Sequence, residues 1–211
     1  MMLDFNDLVK KHDLKINGII HIGAHHGQEH SLYESANAKH VVYFEPHPDS
    51  FARLRKNLKK KQNTTLINKA LGSSEGIFDM HCSRDNAGMS NSMLKPADHA
   101  TIYPGIVFDH VVKVPVSTLD KEIYILDKSI VECLNCIAID VQGFEMEVFK
   151  GGEETLKKVD SIFTEINFRP MYESCALAED LDSFLAKFNF YRTDTLDTGA
   201  GWGDALYVKR K

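Results

Sequence analysis

Short apolar runs alternate with amphipathic stretches along this 211-residue chain, a rhythm that predicts a parallel sheet covered by helices. Gly18 to Ile22 reads as a first strand ending at Gly23, followed by a helix from Gln28 to Asn37. Lys39 to Glu45 (KHVVYFE) is a second strand, and His47-Pro48-Asp49 opens a helix running to about Lys61. Proline suits the first helical turn, where its missing N–H costs nothing, and Leu54 and Leu58 lie one turn apart. Thr64 to Asn68 is a third strand.

From Ala70 to Val116 the rhythm is lost. Gly76 to Ser83 and Val111 to Val116 read as antiparallel strands, and Asp85 to Pro104 as a loop rich in Asn, Ser, Gly and Met. The pattern then resumes. Ser117-Thr118-Leu119-Asp120 opens a short helix, Asn135 to Val141 is a strand, and Phe144 to Lys158 is helical with a break at Gly151-Gly152. Asp160 to Asn167 is a strand, Ser174 to Phe188 a helix, and Phe190 to Thr195 with Ala205 to Lys209 a final strand pair. Together these predict one α/β domain spanning residues 1–211: a mostly parallel, doubly wound sheet of seven core strands, with helices on both faces and a terminal antiparallel hairpin. The irregular stretch 84–110 is longer than an ordinary connection and is read as a lid over the substrate.

Composition narrows the function classes. The chain is 43% hydrophobic and 26% charged with a net charge of −5, which suits a soluble protein and gives no basic field to gather nucleic acid. No apolar run approaches a membrane span, and Met1 to His12 lacks the apolar stretch of a secretory signal, so a cytoplasmic protein is expected. The basic cluster Arg53, Arg55, Lys56, Lys59, Lys60 and Lys61 reads as a solvated helix face. Cys133 and Cys136 form a lone C-x-x-C without a second pair, so both read as small apolar side chains, and no metal site is expected.

In a doubly wound sheet ligands bind beyond the carboxyl ends of the strands. The first strand ends in His21-Ile22-Gly23-Ala24-His25-His26-Gly27-Gln28-Glu29, where glycines permit a sharp turn and close approach of a ligand to the backbone. This is G-x-x-x-G, not the full dinucleotide fingerprint. Glu45 ends the second strand about twenty residues later, where a carboxylate can accept hydrogen bonds from two adjacent ribose hydroxyls. A nicotinamide dinucleotide and S-adenosyl-L-methionine both satisfy these features.

The stretches IIHIGAHHGQEHSLYE, VVYFEPHPDSFARLRKNL and NKALGSSEG, followed by VPVSTLD, IDVQGFEMEVFKGG, FTEIN and WGDALYVK, resemble FkbM-family methyltransferases in wording and order, from about Asn17 to Val208. The resemblance implies a class I methyltransferase fold, S-adenosyl-L-methionine as cofactor, and methyl transfer to a hydroxyl of a sugar or another small-molecule or glycan acceptor. It places Gly23, Ala24, His25 and Gly27 along the methionine portion, Glu45 at the ribose, Pro46, Ala70 and Leu71 around the adenine, and Ser92, in the serine-rich turn Ser90-Asn91-Ser92, near cofactor or acceptor. Many members carry Asp where this chain has His21 and Lys where it has Ala138. Glu29 or Asp140 then becomes the candidate holder of the cofactor's ammonium group, and Asp140, without its lysine, is expected to have a raised pKa.

An alcohol acceptor must lose a proton, so a base at a strand end is expected. Asp140 is the first candidate and Glu165 the second, with Glu145 and Asn167 nearby. Asp140 also reads as a helix cap, a role compatible with catalysis. These carboxylates could hold Mg²⁺, although nothing in their spacing demands it. His26 and His30 lack the adjacent glutamate of a zinc-protease motif, His81, His99 and His110 read as structural, and Tyr103, Tyr172 and Trp202 offer flat surfaces for a sugar ring. A non-catalytic S-adenosyl-L-methionine-binding module and an NAD-dependent oxidoreductase are the rival readings. The sequence leaves the acceptor and the oligomeric state open.

Overall fold

The computed structural model describes residues 2–210. A first helix, α1 (Phe5–Lys11), leads into β1 (Gly18–Ile22), α2 (His30–Ser35), β2 (His40–Phe44), α3 (Pro48–Asn57) and β3 (Thr64–Ile67). A smaller unit follows, made of β4 (Ala70–Leu71), β5 (Gly76–Ser83), a 3-10 turn at Asp85–Gly88, α4 (Asp98–Ile102) and β6 (Phe108–Ser117). The chain then runs through α5 (Leu119–Tyr124), α6 (Lys128–Val131), β7 (Cys136–Ile139), α7 (Glu145–Lys150), α8 (Glu153–Leu156), β8 (Ser161–Asn167), α9 (Ala178–Ala186), β9 (Phe190–Asp197) and β10 (Trp202–Lys209).

The main sheet has seven strands in the order β3-β2-β1-β7-β8-β10-β9. Its first five strands are parallel, and β10 runs antiparallel to both β8 and β9. The fold expected from the hydrophobic rhythm is therefore the fold observed. Strand order reverses between β1 and β7, and at such a switch point the connections leave on opposite sides and open a crevice.

Successive strand residues feed two cores. Ile20, Ile22, Val42, Phe44, Ile137 and Ile139 pack with residues of α5, α7, α8 and α9, while Ile19, Val41, Tyr43, Cys136 and Ala138 pack with residues of α1, α2 and α3. Burial on both faces explains why these strands read as continuous apolar runs. None of the helices of the described residues is long and apolar enough to cross a membrane.

Several boundaries differ from the sequence expectation. No helix was expected before β1, yet Asp4 caps α1 by accepting from the Asp7 N–H (3.0 Å), and Phe5 and Leu8 pack one turn apart. Phe5 lies 4.6 Å from the Phe163 ring and 5.3 Å from that of Tyr33, closing one face of the sheet. The stretch expected as a loop contains the 3-10 turn and α4, and it is tied down by bridges from His81 to Ser92 and from Pro96 to Tyr172. Backbone hydrogen bonds from Ala97 and His99 to Met171 O (2.9 and 3.1 Å) and from Glu173 to Lys95 O (2.8 Å) fix it against the chain after β8. Residues 84–110 therefore form a built wall rather than an irregular loop.

Gly27 has φ +74°, and a Cβ added there would lie 2.8 Å from Leu54 Cδ1. The close approach expected between this glycine and a ligand is instead an approach to α3, whose Leu54 is fully buried. Gly27→Val is expected to lose stability by about 2 kcal/mol or more, through overpacking and a strained backbone, without a direct loss of ligand contacts. Chemical denaturation measures the first, and calorimetric binding of S-adenosylhomocysteine by the folded fraction measures the second. Full stability with lost affinity would reverse this assignment.

Candidate active site

The crevice at the switch point is set by a single close contact. Gly23, at φ +81°, brings the end of β1 so near β7 that a Cβ would lie 1.9 Å from the Asp140 carbonyl oxygen. Only glycine fits there. The N–H groups of Gly23 and Ala24 both donate to the Phe44 carbonyl (2.9 and 3.0 Å), tying the turn to β2. His25 follows with φ +47°, and its Nε2 donates to the Ala87 carbonyl (2.9 Å) while Nδ1 accepts from Gln28 Nε2 (2.9 Å). The turn is thereby joined to the wall formed by residues 84–110.

Glu45, buried at the end of β2, accepts from the His25 N–H through Oε2 (2.7 Å) and from the His47 N–H through Oε1 (2.8 Å). Burial pushes its pKa up to about 7, against the pull of those two N–H groups. Asn68 Nδ2 donates to the carbonyls of Glu45 and Pro46 (2.8 and 3.0 Å), holding the backbone of the same turn.

Beyond these strand ends lies a cavity lined by His21, Gly23, Ala24, His25, Glu29, Glu45, Pro46, Ala70, Leu71, Asp140 and Glu165, together with Met80, Met93, Phe144 and Asp204. Of the residues read from the sequence as cofactor contacts, Gly27 and Ser92 stand outside this lining. Ser92 is buried behind it, where its Oγ donates to the Gln142 carbonyl (2.7 Å). It shapes the wall from the rear, which corrects its expected contact with a ligand.

Gln142 is the piece that sequence reading missed. Its φ of +55°, followed by Gly143 at +93°, folds the turn after β7 back over the sheet. Its Nε2 then donates to Asp140 Oδ1 (2.7 Å) and to Glu165 Oε2 (2.8 Å), and its Oε1 accepts from the Tyr172 hydroxyl (2.7 Å). Glu145 braces the turn from below, accepting from the N–H groups of Val141 (3.1 Å) and Gly143 (3.3 Å). The following helix has Phe144 at its N-cap and no side-chain cap, so the capping role expected of Asp140 is not observed. Asp204 also went unnoticed, although an acid inside the apolar run of β10 was a visible signal. It is the register partner of Glu165, is buried, and accepts from the Leu3 N–H (3.0 Å) and from the Met2 N–H.

Burial raises the pKa of Asp140 and of Glu165; Asp204 and Glu29 push that of Asp140 further up, and Asp140, Glu145 and Asp204 do the same to Glu165. No lysine, arginine or histidine pairs with Glu29, Glu45, Asp140, Glu165 or Asp204 among the described residues, and Lys69, the lysine in the lining, is committed to Glu122 (2.7 Å). Acidic side chains gathered without a basic side chain among the described residues suit a cationic ligand, because its charge offsets both their repulsion and the cost of their burial.

A second cavity meets the first at Met89 and at the polar side chains Asp140, Gln142, Glu165 and Asp204. Its other walls are Tyr103, Tyr172 and Trp202 with His99 and Met171. Trp202 Nε1 donates to the Tyr103 hydroxyl (2.8 Å), fixing both rings. His99 hydrogen-bonds Ser90 Oγ through Nε2 (3.1 Å) and keeps a buried Nδ1 without a partner.

A family profile described as Methyltransferase FkbM domain matches residues 21–191. The chain belongs to the FkbM methyltransferase family. The 2-O-methyltransferase NoeI of Sinorhizobium fredii is 30% identical over 161 residues, a match spanning 74% of this chain and 65% of that protein. The same fold occurs in a putative tRNA methyltransferase from Streptococcus pneumoniae solved with S-adenosyl-L-methionine (TM-score 0.54, 12% identity, 100% of this chain and 75% of that one). It occurs also in TrmK from M. capricolum solved with S-adenosyl-homocysteine (TM-score 0.54, 11% identity, 100% and 70%). FkbM membership makes S-adenosyl-L-methionine the cofactor and sets the nicotinamide reading aside.

The two departures from the FkbM pattern prove to be neighbours. His21 and Ala138 are register partners on β1 and β7. His21 is buried, its Nδ1 meets the Tyr33 hydroxyl at 3.2 Å, and burial lowers its pKa to about 4, so it is neutral at physiological pH. A neutral histidine beside an alanine puts no charge inside the sheet at this point. The raised pKa expected for Asp140 is present, with burial as its largest cause.

Glu145 offers a check on these electrostatics. Burial pushes its pKa up to about 7, with the nearby Asp140 adding to the shift. An acid raised on folding is neutral in both states at low pH, and it costs stability as pH climbs from its unfolded value through its folded one. Glu145→Gln is therefore expected to match the parent in thermal stability near pH 4.5. By about pH 8 it should exceed the parent by on the order of 1–3 kcal/mol. A stability difference that does not change with pH would refute the shift.

Proposed function

We propose that this chain methylates a hydroxyl oxygen of a sugar or similar carbohydrate-like acceptor. The observation that carries the reading is the meeting of an acid-lined cavity with an aromatic one at the Asp140–Gln142–Glu165 bridge.

In this reading Gly23, Ala24 and His25 hold the methionine portion of the cofactor, with His21, Glu29 and Asp140 around its ammonium group. Glu45 takes the ribose, and Pro46, Ala70 and Leu71 surround the adenine. Each Glu45 oxygen accepts one backbone N–H and keeps a further lone pair for a hydroxyl. When bound, the cofactor supplies a methyl group on a positively charged sulfur, already activated for displacement.

The chain's own work is placement and proton removal, and alignment alone can be worth roughly 7–11 kcal/mol. Tyr103, Tyr172 and Trp202 give flat apolar faces for a sugar ring, with the wall of residues 84–110 closing over it. The ionised member of the Asp140–Glu165 pair takes the hydroxyl proton, and its raised pKa makes it a stronger base than an ordinary carboxylate. Gln142 holds both groups in place. The 2-O-methyltransferase relative supports oxygen as the target. The negative lining disfavours a polyphosphate chain, so nucleic acid is not the proposed acceptor.

Glu45→Ala is expected to weaken S-adenosylhomocysteine binding by about 1–3 kcal/mol, the scale of lost charge-assisted hydrogen bonds. Unchanged affinity by calorimetry in a folded variant would remove Glu45 from the ribose. Screening sugars and glycosides with methyl-labelled cofactor tests the acceptor class, and methylation confined to amines would overturn it. With an acceptor in hand, Asp140→Asn is expected to keep the fold while lowering turnover at saturating cofactor by about 10²-fold or more. Parent-like turnover would transfer the base role to Glu165.

A further inference from the structure

Away from both cavities, three side chains with metal-ligating atoms meet where the small three-stranded sheet, of order β4-β6-β5, adjoins the start of α3. His47 immediately precedes that helix, Cys82 lies in β5, and His110 lies in β6 as the register partner of Cys82. Register partners in antiparallel strands project from the same face. One ligand atom from each of the three lies within 4.8 Å of the other two.

We propose that His47, Cys82 and His110 form a Zn²⁺ site that clips the small sheet to the turn between β2 and α3. A thiolate with two imidazoles is a zinc donor set, whereas Mg²⁺ and Ca²⁺ require oxygen. Tetrahedral zinc with bonds of about 2.0–2.3 Å places its donor atoms roughly 3.5 Å apart. Donor atoms within 4.8 Å of one another need to close by little more than about an ångström at most, within the reach of side-chain torsions.

Two further features fit a ligand. His47 stands at the N-cap without capping the helix, and its Nδ1 is buried without a hydrogen-bond partner. His110 Nδ1 is held by Asp109 Oδ1 at 2.5 Å, which leaves Nε2 to ligate. A carboxylate behind a ligating histidine is the usual way such a ring is oriented and its basicity raised. Packing with Met80, Val114 and Val116 accounts for Cys82 in the core, but not for two imidazoles within reach of its sulfur.

On binding, the Cys82 S–H gives up its proton to solvent and the sulfur forms a bond to Zn²⁺. Each imidazole donates a lone pair, and water fills the fourth position. No oxidation or reduction is involved. None of the three residues lines either cavity, so the clip acts on the scaffold. Because the His47 N–H also donates to Glu45, the clip would steady the turn that carries this acid.

The test uses the full chain, stripped of metal by a chelator and titrated with Co²⁺ and then Zn²⁺. We expect Co²⁺ to give a thiolate-to-metal charge-transfer band that saturates at one equivalent, and Zn²⁺ to displace it and raise the melting temperature. Cys82→Ala should abolish the band. His110→Gln should lower affinity by at least 10-fold, and Asp109→Asn by about 10–100-fold, the scale of lost outer-shell partners. Circular dichroism and S-adenosylhomocysteine binding confirm folding. His110→Gln decides the matter should Cys82→Ala fail to fold. Absence of the band, its persistence in Cys82→Ala, or unchanged affinity in His110→Gln would overturn the proposal.

Discussion

Asp140, Glu165 and Asp204 come from three neighbouring strands and meet with no basic side chain to answer them, among the described residues. Much of the surrounding structure serves to make that gathering tolerable. Gln142 divides its amide hydrogens between two of the acids, backbone N–H groups serve Asp204 and Glu145, and Tyr172 holds Gln142 in position. Such groups cost free energy in the empty protein, and a cationic ligand returns it. Stability and ligand affinity are therefore linked through the same few atoms, as any ligand of the native state requires.

The chain's hydrophobic rhythm made the main sheet legible because both faces of each parallel strand are buried, leaving runs such as Ile19-Ile20-His21-Ile22 that turn sharply at glycine. The place of Glu45 in the cavity lining was legible for a related reason, since it closes such a run at the carboxyl end of a strand. What escaped was whatever depends on backbone handedness or on distant partners. Gln142 needs a left-handed φ to reach two carboxylates, and nothing in Asp140-Val141-Gln142-Gly143 alone dictates where its side chain lands. His47, Cys82 and His110 are separated by tens of residues, and only the small sheet brings them together.

Gly27 and Ser92 show the limit of reasoning from a pattern to a contact. Both belong to stretches that build the site, and both act one layer behind it, against Leu54 and against the carbonyl of Gln142. A glycine in a ligand-binding turn can be required by the helix packed beneath the turn as firmly as by the ligand above it. The wall from residue 84 to residue 110 teaches the complementary lesson. Its polar, glycine-containing composition reads as loop, but its backbone groups find partners on the chain after β8, and that pairing makes it a rigid boundary.

The contact between the Asp204 carboxylate and the N–H groups of Met2 and Leu3 has a practical side. Met2 is itself part of the aromatic cavity's lining. A purification handle or immobilisation linker fused at the amino end would emerge beside the place where the acceptor is proposed to sit, and would compete with it for space. Handles joined at the carboxyl end leave β10 after Lys209, at the opposite end of that strand from Trp202, and keep the mouth of the cavity clear.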